Sequence, residues 1–250
     1  MSRPTVSAAL LVQNEERHIA ACLRGLSWAD EVVVLDGGSD DRTAELAREG
    51  GATVHSRPFD NFGAQRKALI GLASCDWVFF VDADERCPAP LAAEIRCVVG
   101  RRGPDAPAAY WVPRRNYIWG RWIRGGGWWP DEQLRLLRRD RATYPESDLV
   151  HEVAAVDGPL GRLRCALVHY NYDTVGQFVA KQQKYAGLEA VARRAEGDCG
   201  KPKRLASMPL RELWYRLVTL DGQRDGAYGL ALAGLLALFR LDVERRLLRR

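Results

Sequence analysis

The chain has 250 residues, 47% of them hydrophobic and 28% charged, which excludes a disordered chain and fits one large α/β domain or a core with a small appendage. A chain this long buries roughly three-quarters of its unfolded surface and needs no disulfide to hold a core. The six cysteines, Cys22, Cys75, Cys87, Cys97, Cys165 and Cys199, form no Cys-x-x-Cys pair and no zinc spacing, and read as reduced thiols. A net charge of +5 points to an anionic partner.

Met1 to Pro4 leads directly into an apolar run without the stretch of a signal peptide, so a cytoplasmic protein is expected. Thr5 to Val12 is almost wholly apolar, as in a strand buried on both faces of a parallel sheet. Polar Gln13-Asn14-Glu15-Glu16 follows, then Ile19, Cys22, Leu23 and Leu26 at helical spacing. The pattern repeats: a strand from Glu31 to Leu35, a loop from Asp36 to Asp41, a helix from Thr43 to Glu49, and a strand from Ala52 to His55. A helix from Gln65 to Ala73 precedes a strand from Trp77 to Val81, which stops at Asp82-Ala83-Asp84-Glu85. Alternation at these lengths predicts a doubly wound, mostly parallel sheet. In such sheets ligands bind at the carboxyl ends of the strands, where three polar clusters should converge: Asn14–Glu16, Asp36–Asp41 and Asp82–Glu85.

Seven of the 22 aromatic residues lie between Tyr110 and Trp129, interleaved with Arg114, Arg115, Arg121 and Arg124. Gln133 to Leu137 reads as a strand, and His151 to Val156 with Leu163 to His169 as a hairpin around Gly158-Pro159. Thr174 to Arg194 reads as a long amphipathic helix, Lys201-Pro202-Lys203 as a break, and helices resume near Pro209. Ala227 to Phe239 is apolar apart from two glycines and too short to cross a bilayer. Bracketed by arginines, including Arg245, Arg246, Arg249 and Arg250, it reads either as a membrane-surface helix or as a core helix with a basic end.

Carboxylates two apart at a strand end can hold a hard divalent cation whose other positions go to water and substrate phosphate. The loop Asp36-Gly37-Gly38-Ser39-Asp40-Asp41-Arg42-Thr43 reads as a nucleotide pocket: Asp36 can accept from a base N–H and the glycines admit close approach of the backbone. No dinucleotide fingerprint and no P-loop is present. Acidic clusters at three strand ends would repel a polyanion, so no nucleic-acid partner is expected.

Val12-Gln13-Asn14-Glu15-Glu16, the Asp36–Thr43 loop and Val81-Asp82-Ala83-Asp84-Glu85, in this order, resemble inverting family 2 glycosyltransferases of the GT-A fold. Gly127-Trp128-Trp129-Pro130-Asp131-Glu132-Gln133, Val150-His151-Glu152, His169-Tyr170-Asn171-Tyr172 and the Lys181–Ala186 helix are similar to bacterial lipopolysaccharide core β-1,4-glucosyltransferases. The resemblance implies a GT-A catalytic domain over 1–172, divided into a nucleotide-sugar half (1–100) and an acceptor half (101–172), with a helical region over 173–250.

It further implies a UDP-sugar donor bound by Gln13, Asn14, Glu15, Asp36, Gly37, Ser39, Asp82 and Ala83, with Arg66 and Lys67 toward the diphosphate. A manganese or magnesium ion would be held by Asp84, with His151 or His169 as a further ligand. Asp131 is the implied catalytic base and Glu132 its rival, while Trp128 and Trp129 would line a glycan or glycolipid acceptor site. The implied protein works peripherally at the cytoplasmic face of the inner membrane. The alternatives are a non-catalytic sugar- or lipid-binding relative and a nucleotidyltransferase, whose usual Gly-rich basic loop is missing after the first strand.

Overall fold

The structure is a computed structural model and describes residues 3–101, 103, 105–145 and 154–249. It divides into two compact units: the first comprises Met1–Arg114 and Glu132–His169, the second Arg115–Asp131 and Tyr170–Arg250.

In the first unit β1 (Val6–Val12), α1 (Ile19–Arg24), β2 (Glu31–Asp36), α2 (Thr43–Glu49), β3 (Thr53–Ser56), α3 (Phe62–Leu72) and β4 (Trp77–Phe80) follow the expected alternation. β1 pairs in parallel with β2, bringing Val12 opposite Asp36, and with β4, bringing Ala9 opposite Phe80. Both faces of β1 are covered, so its residues are buried almost without alternation. Fully buried Leu10 and Phe79, with Ile19 of α1, belong to the larger of two core clusters, and each such side chain contributes about 1.5–3 kcal/mol by leaving water.

After β4 come β5 (Glu85–Arg86), α4 (Ala89–Val99), β6 (Ala109–Ile118), β7 (Arg121–Trp122) and β8 (Asp131–Arg138). They are followed by β9 (Ala142–Thr143), β10 (Ala155–Val156), β11 (Leu160–Arg162) and β12 (Leu167–Tyr172). The main sheet has the order β3-β2-β1-β4-β8-β6-β12-β5, with β7 and β11 also on β6. It is parallel through β3-β2-β1-β4 and turns antiparallel where β8 joins β4. The expected mostly parallel sheet flanked by helices, with a helical C-terminal extension, is therefore the fold observed.

The expected hairpin is not. β10 pairs with β9, β11 runs parallel to β6, and β12 runs antiparallel to β5. Short strands take the partner that the surrounding sheet offers, so adjacency in sequence did not decide their pairing.

The second unit carries α5 (Val175–Ala195), α6 (Arg204–Trp214) and α7 (Ala227–Leu248), with a π-helical turn at Tyr215–Thr219. Thr174 caps α5 in a capping box with Gln177. Ile118, Ile123, Tyr172, Phe178 and Leu232 form one core cluster of the unit, against which Trp119 and Trp128 pack, and Ala186, Ala190, Val243 and Leu247 form a second. Much of the aromatic segment is thus structural. Residue 209, expected where helices resume, lies inside α6. α7 buries Leu232, Ala233, Ala237, Val243 and Leu247, which is the core-helix alternative for the apolar C-terminal run.

Candidate active site

The first two polar clusters are joined by hydrogen bonds from main-chain N–H groups to side-chain oxygens. Asn14 takes a left-handed conformation (φ 57°), which asparagine tolerates better than most residues. Its N–H donates to Ser39 Oγ (2.9 Å) and its Oδ1 accepts from the Asp40 N–H (2.9 Å). The Glu15 N–H donates to Thr43 Oγ1 (2.7 Å) and the Glu16 N–H to Asp41 (3.2 Å). Asp36, only 5% exposed, accepts from the Ser39 hydroxyl (2.5 Å) and N–H (3.2 Å). Gly37 donates to the Val12 carbonyl (2.9 Å), continuing the β1–β2 pairing into the loop. Gln13 is exposed. The register of β1 with β2 thus fixes this cradle of carboxylates and N–H groups at the carboxyl edge of the sheet.

The third cluster is a closed turn beyond β4. The Asp82 N–H donates to Glu85 Oε2 and the Glu85 N–H to the Asp82 carbonyl, both at 2.9 Å. The Arg86 guanidinium donates to the Ala83 and Glu85 carbonyls at 2.8 Å. This turn separates the two aspartates. Asp82 is gripped by Arg135 of β8 through both guanidinium nitrogens, and Glu85, fully buried, accepts from Arg135 (3.0 Å) and Arg114 (3.2 Å).

Desolvation opposes ionisation of Asp82, but Arg135 outweighs it, with Arg66 and Arg114 adding, and holds its carboxyl well below the usual range. Burial pushes the Glu85 carboxyl up against the pull of Arg135. Desolvation also disfavours the Arg135 charge, yet Asp82 and Glu85 reverse this and raise its pKa. Arg66, besides acting on Asp82, lies over the Tyr144 ring at 5.7 Å, while neighbouring Lys67 is exposed.

Asp84 meets His169 instead. The antiparallel register sets His169 opposite Glu85, and its Nε2 lies 3.3 Å from Asp84 Oδ2. Two neighbouring ligands about 2.1 Å from one octahedral ion lie about 3 Å apart. The spacing and the carboxylate–imidazole donor pair therefore fit a divalent cation. His151 lies outside the described residues.

In the second unit Asp131 opens β8. Fully buried Asn116 donates from Nδ2 to Asp131 Oδ2 (3.0 Å) and to the Trp128 carbonyl (2.9 Å), so one amide orients the carboxylate and the loop before it. Trp128 sits edge-on to Tyr172, and Trp129 edge-on to Trp122 at 5.5 Å. Glu132, in the first unit, is ion-paired with Arg162.

The sequence reading missed Asn116 and Arg135, and placed Arg114 among the aromatic residues without its contact to Glu85. The available signal was Arg135 between Leu134 and Leu136, since an arginine within an apolar strand is rarely buried without an acidic partner.

The family model "Glycosyl transferase family 2" matches residues 7–144, more than half of the chain. The chain belongs to glycosyl transferase family 2. It is therefore an enzyme of the glycosyltransferase class. The lipopolysaccharide core biosynthesis glycosyltransferase LpsC of Rhizobium meliloti (strain 1021) is 29% identical over 196 residues, covering 74% of this chain and 70% of that protein. An uncharacterized glycosyltransferase of Rickettsia conorii (strain ATCC VR-613 / Malish 7) is 31% identical, covering 74% and 69%. Among solved structures, glucosyl-3-phosphoglycerate synthase from Mycobacterium tuberculosis, in complex with Mn2+, UDP and phosphoglyceric acid, aligns with a TM-score of 0.47 at 19% identity, covering 74% of this chain and 77% of that one.

Proposed function

We propose that this family 2 member is an inverting, divalent-metal-dependent hexosyltransferase that moves glucose from UDP-glucose onto a lipid-linked glycan of the lipopolysaccharide inner-core type. The observation carrying this reading is the Asp84–His169 pair beside a carboxylate and N–H cradle at the carboxyl edge of the sheet. The LpsC relationship supports the acceptor class.

Asn14, Glu15, Asp36 and Ser39, with Gln13, Gly37 and Ala83 in the same loops, would hold the nucleoside, and Arg66 and Lys67 the diphosphate. Asp82, locked by Arg135, would shape the ribose side. Asp84 and His169 would hold manganese or magnesium, which when bound supplies Lewis-acid neutralisation of the departing diphosphate. Asp131, oriented by Asn116, would accept the proton of the acceptor hydroxyl as its oxygen bonds to the anomeric carbon. The carbon–phosphate-oxygen bond breaks on the opposite face, its electron pair leaves with UDP, and the configuration inverts. Trp128 and Trp129 would offer ring faces to the acceptor sugar.

Among the described residues no helix is long and apolar enough to cross a membrane. Peripheral placement on the cytoplasmic face of the inner membrane is part of the proposal.

The decisive test is Asp131→Asn. The variant should bind UDP with manganese as wild type does, while transfer falls by about 10²–10⁴-fold. Transfer at the wild-type rate would remove Asp131 from the base role. Failure of the wild-type protein to bind any of UDP, GDP and ADP in the presence of metal would favour a non-catalytic sugar- or lipid-binding relative.

A further inference from the structure

α6 is the helix of the second unit that buries nothing: none of its residues is buried. Its apolar side chains nevertheless fall on one face. Leu210, Leu213, Trp214, Leu217 and Val218 recur at offsets of three, four, seven and eight, continuing one stripe through the π-helical turn. With Leu230 of α7 they line an open groove of about 690 Å3. Leu210 is 67%, Trp214 66% and Leu230 58% exposed, far more than an isolated surface residue requires.

Apart from Asp221, the exposed charges around this stripe are basic. Arg211 borders it on the helix surface, Lys203 caps its N-terminal end with Lys201 two residues before, and Arg224 adjoins the lining residue Gln223. These four cations are exposed and have no ion-pair partner among the described residues. Nearby Arg204 and Arg216 are by contrast neutralised by Asp198 and Glu212. Of the acids between 201 and 230, Glu212 is paired and Asp225 is buried, accepting from the Arg124 and Gly125 N–H groups. Asp221 alone is exposed.

We propose that this face is the membrane-docking surface of the protein and that its occupant is an anionic phospholipid bilayer. Trp214 and the leucines enter the headgroup–acyl boundary while Lys201, Lys203, Arg211 and Arg224 meet lipid phosphates. The inference rests on the peripheral placement proposed above and moves its seat away from the C-terminal arginines. There Arg240 is held by Glu189 and Arg246 by Asp242, and α7 buries Leu232, Ala233, Ala237, Val243 and Leu247.

The test is co-sedimentation of the full chain with phosphatidylcholine vesicles, with and without about a quarter phosphatidylglycerol. Wild type should prefer the anionic vesicles. The double variant Trp214→Gln/Val218→Gln should bind them about tenfold more weakly or worse. Arg211→Gln and Arg224→Gln should each cost about fivefold, on anionic vesicles only. Arg245→Gln/Arg249→Gln should leave binding unchanged. All these side chains are exposed, so circular dichroism should match wild type throughout.

Wild-type binding by the Trp214/Val218 variant would overturn the proposal. So would a wild-type dimer that this variant dissolves without any vesicle binding, because the face would then belong to a second copy. UDP titration of the same samples keeps the two readings apart. The docking variants should bind UDP normally, and a wild type that binds vesicles but not UDP would overturn the UDP-glucose donor while this surface stands.

Discussion

Arg135 lies within a leucine-rich strand, 4% exposed, with a guanidinium that meets Asp82 and Glu85. Hydrogen bonds to two carboxylates are what make its burial tolerable, because an arginine cannot discharge by losing a proton. The same contacts commit Asp82 to the protein and leave Asp84 to His169, so two aspartates separated by one residue acquire different tasks. Arg135→Ala should therefore cost about 3–5 kcal/mol in a urea titration, mainly through the carboxylates left without their counter-ion. Adding Glu85→Gln should recover part of that loss, since burial already disfavours this carboxylate. A single-variant cost below about 1 kcal/mol, the range of exposed pairs, would show that Arg135 does not hold the turn.

Elements buried on both faces were legible because a continuous apolar run admits few other readings. The β1, β2 and β4 segments and their polar ends fall where the sequence places them, and the cradle at Asp36 follows from that register. Pairing of the two- and three-residue strands was illegible, since β11 finds β6 some fifty residues earlier. α6 was hidden by Pro209, which reads as a boundary although the helix runs through it. The Asp84–His169 contact could be narrowed only to two histidines, because the register that selects His169 is a property of the sheet.

For α7 the sequence left a choice between membrane surface and core, and its glycines show what decided it. A Cβ on Gly229 would lie 1.8 Å from the Gly222 carbonyl oxygen, whereas one on Gly234 meets nothing within 4 Å. Gly229→Ala should thus destabilise by about 1–3 kcal/mol or more as backbone is pushed apart. Gly234→Ala, in the same helix, should be neutral or stabilising by up to about 1 kcal/mol. Equal melting temperatures for the two variants would mean that α7 does not pack closely on the Gly222 turn.

At the scale of the whole molecule, nucleotide and metal should be thermodynamically linked. In the proposed metal site Asp84 and His169 would supply two donors, and among the described residues no group of three or more His, Cys, Asp or Glu side chains is arranged to hold an ion. Magnesium and manganese favour six oxygen or nitrogen positions, so the remaining ones would be left to water and to the diphosphate. Each ligand alone should accordingly bind weakly, and the pair should bind well. A ligand at a hundred times its dissociation constant stabilises the native state by about 2.7 kcal/mol, which for a protein of this size raises Tm by about 5–10 °C. UDP with manganese should produce such a shift, and either component alone, or the pair with excess chelator, should produce little. Asp84→Asn should abolish the joint shift and Asp131→Asn should preserve it, separating metal-dependent donor binding from proton transfer. A full shift with manganese alone would mean that the protein holds the ion without the diphosphate, and Asp84 with His169 would then be insufficient as the metal site.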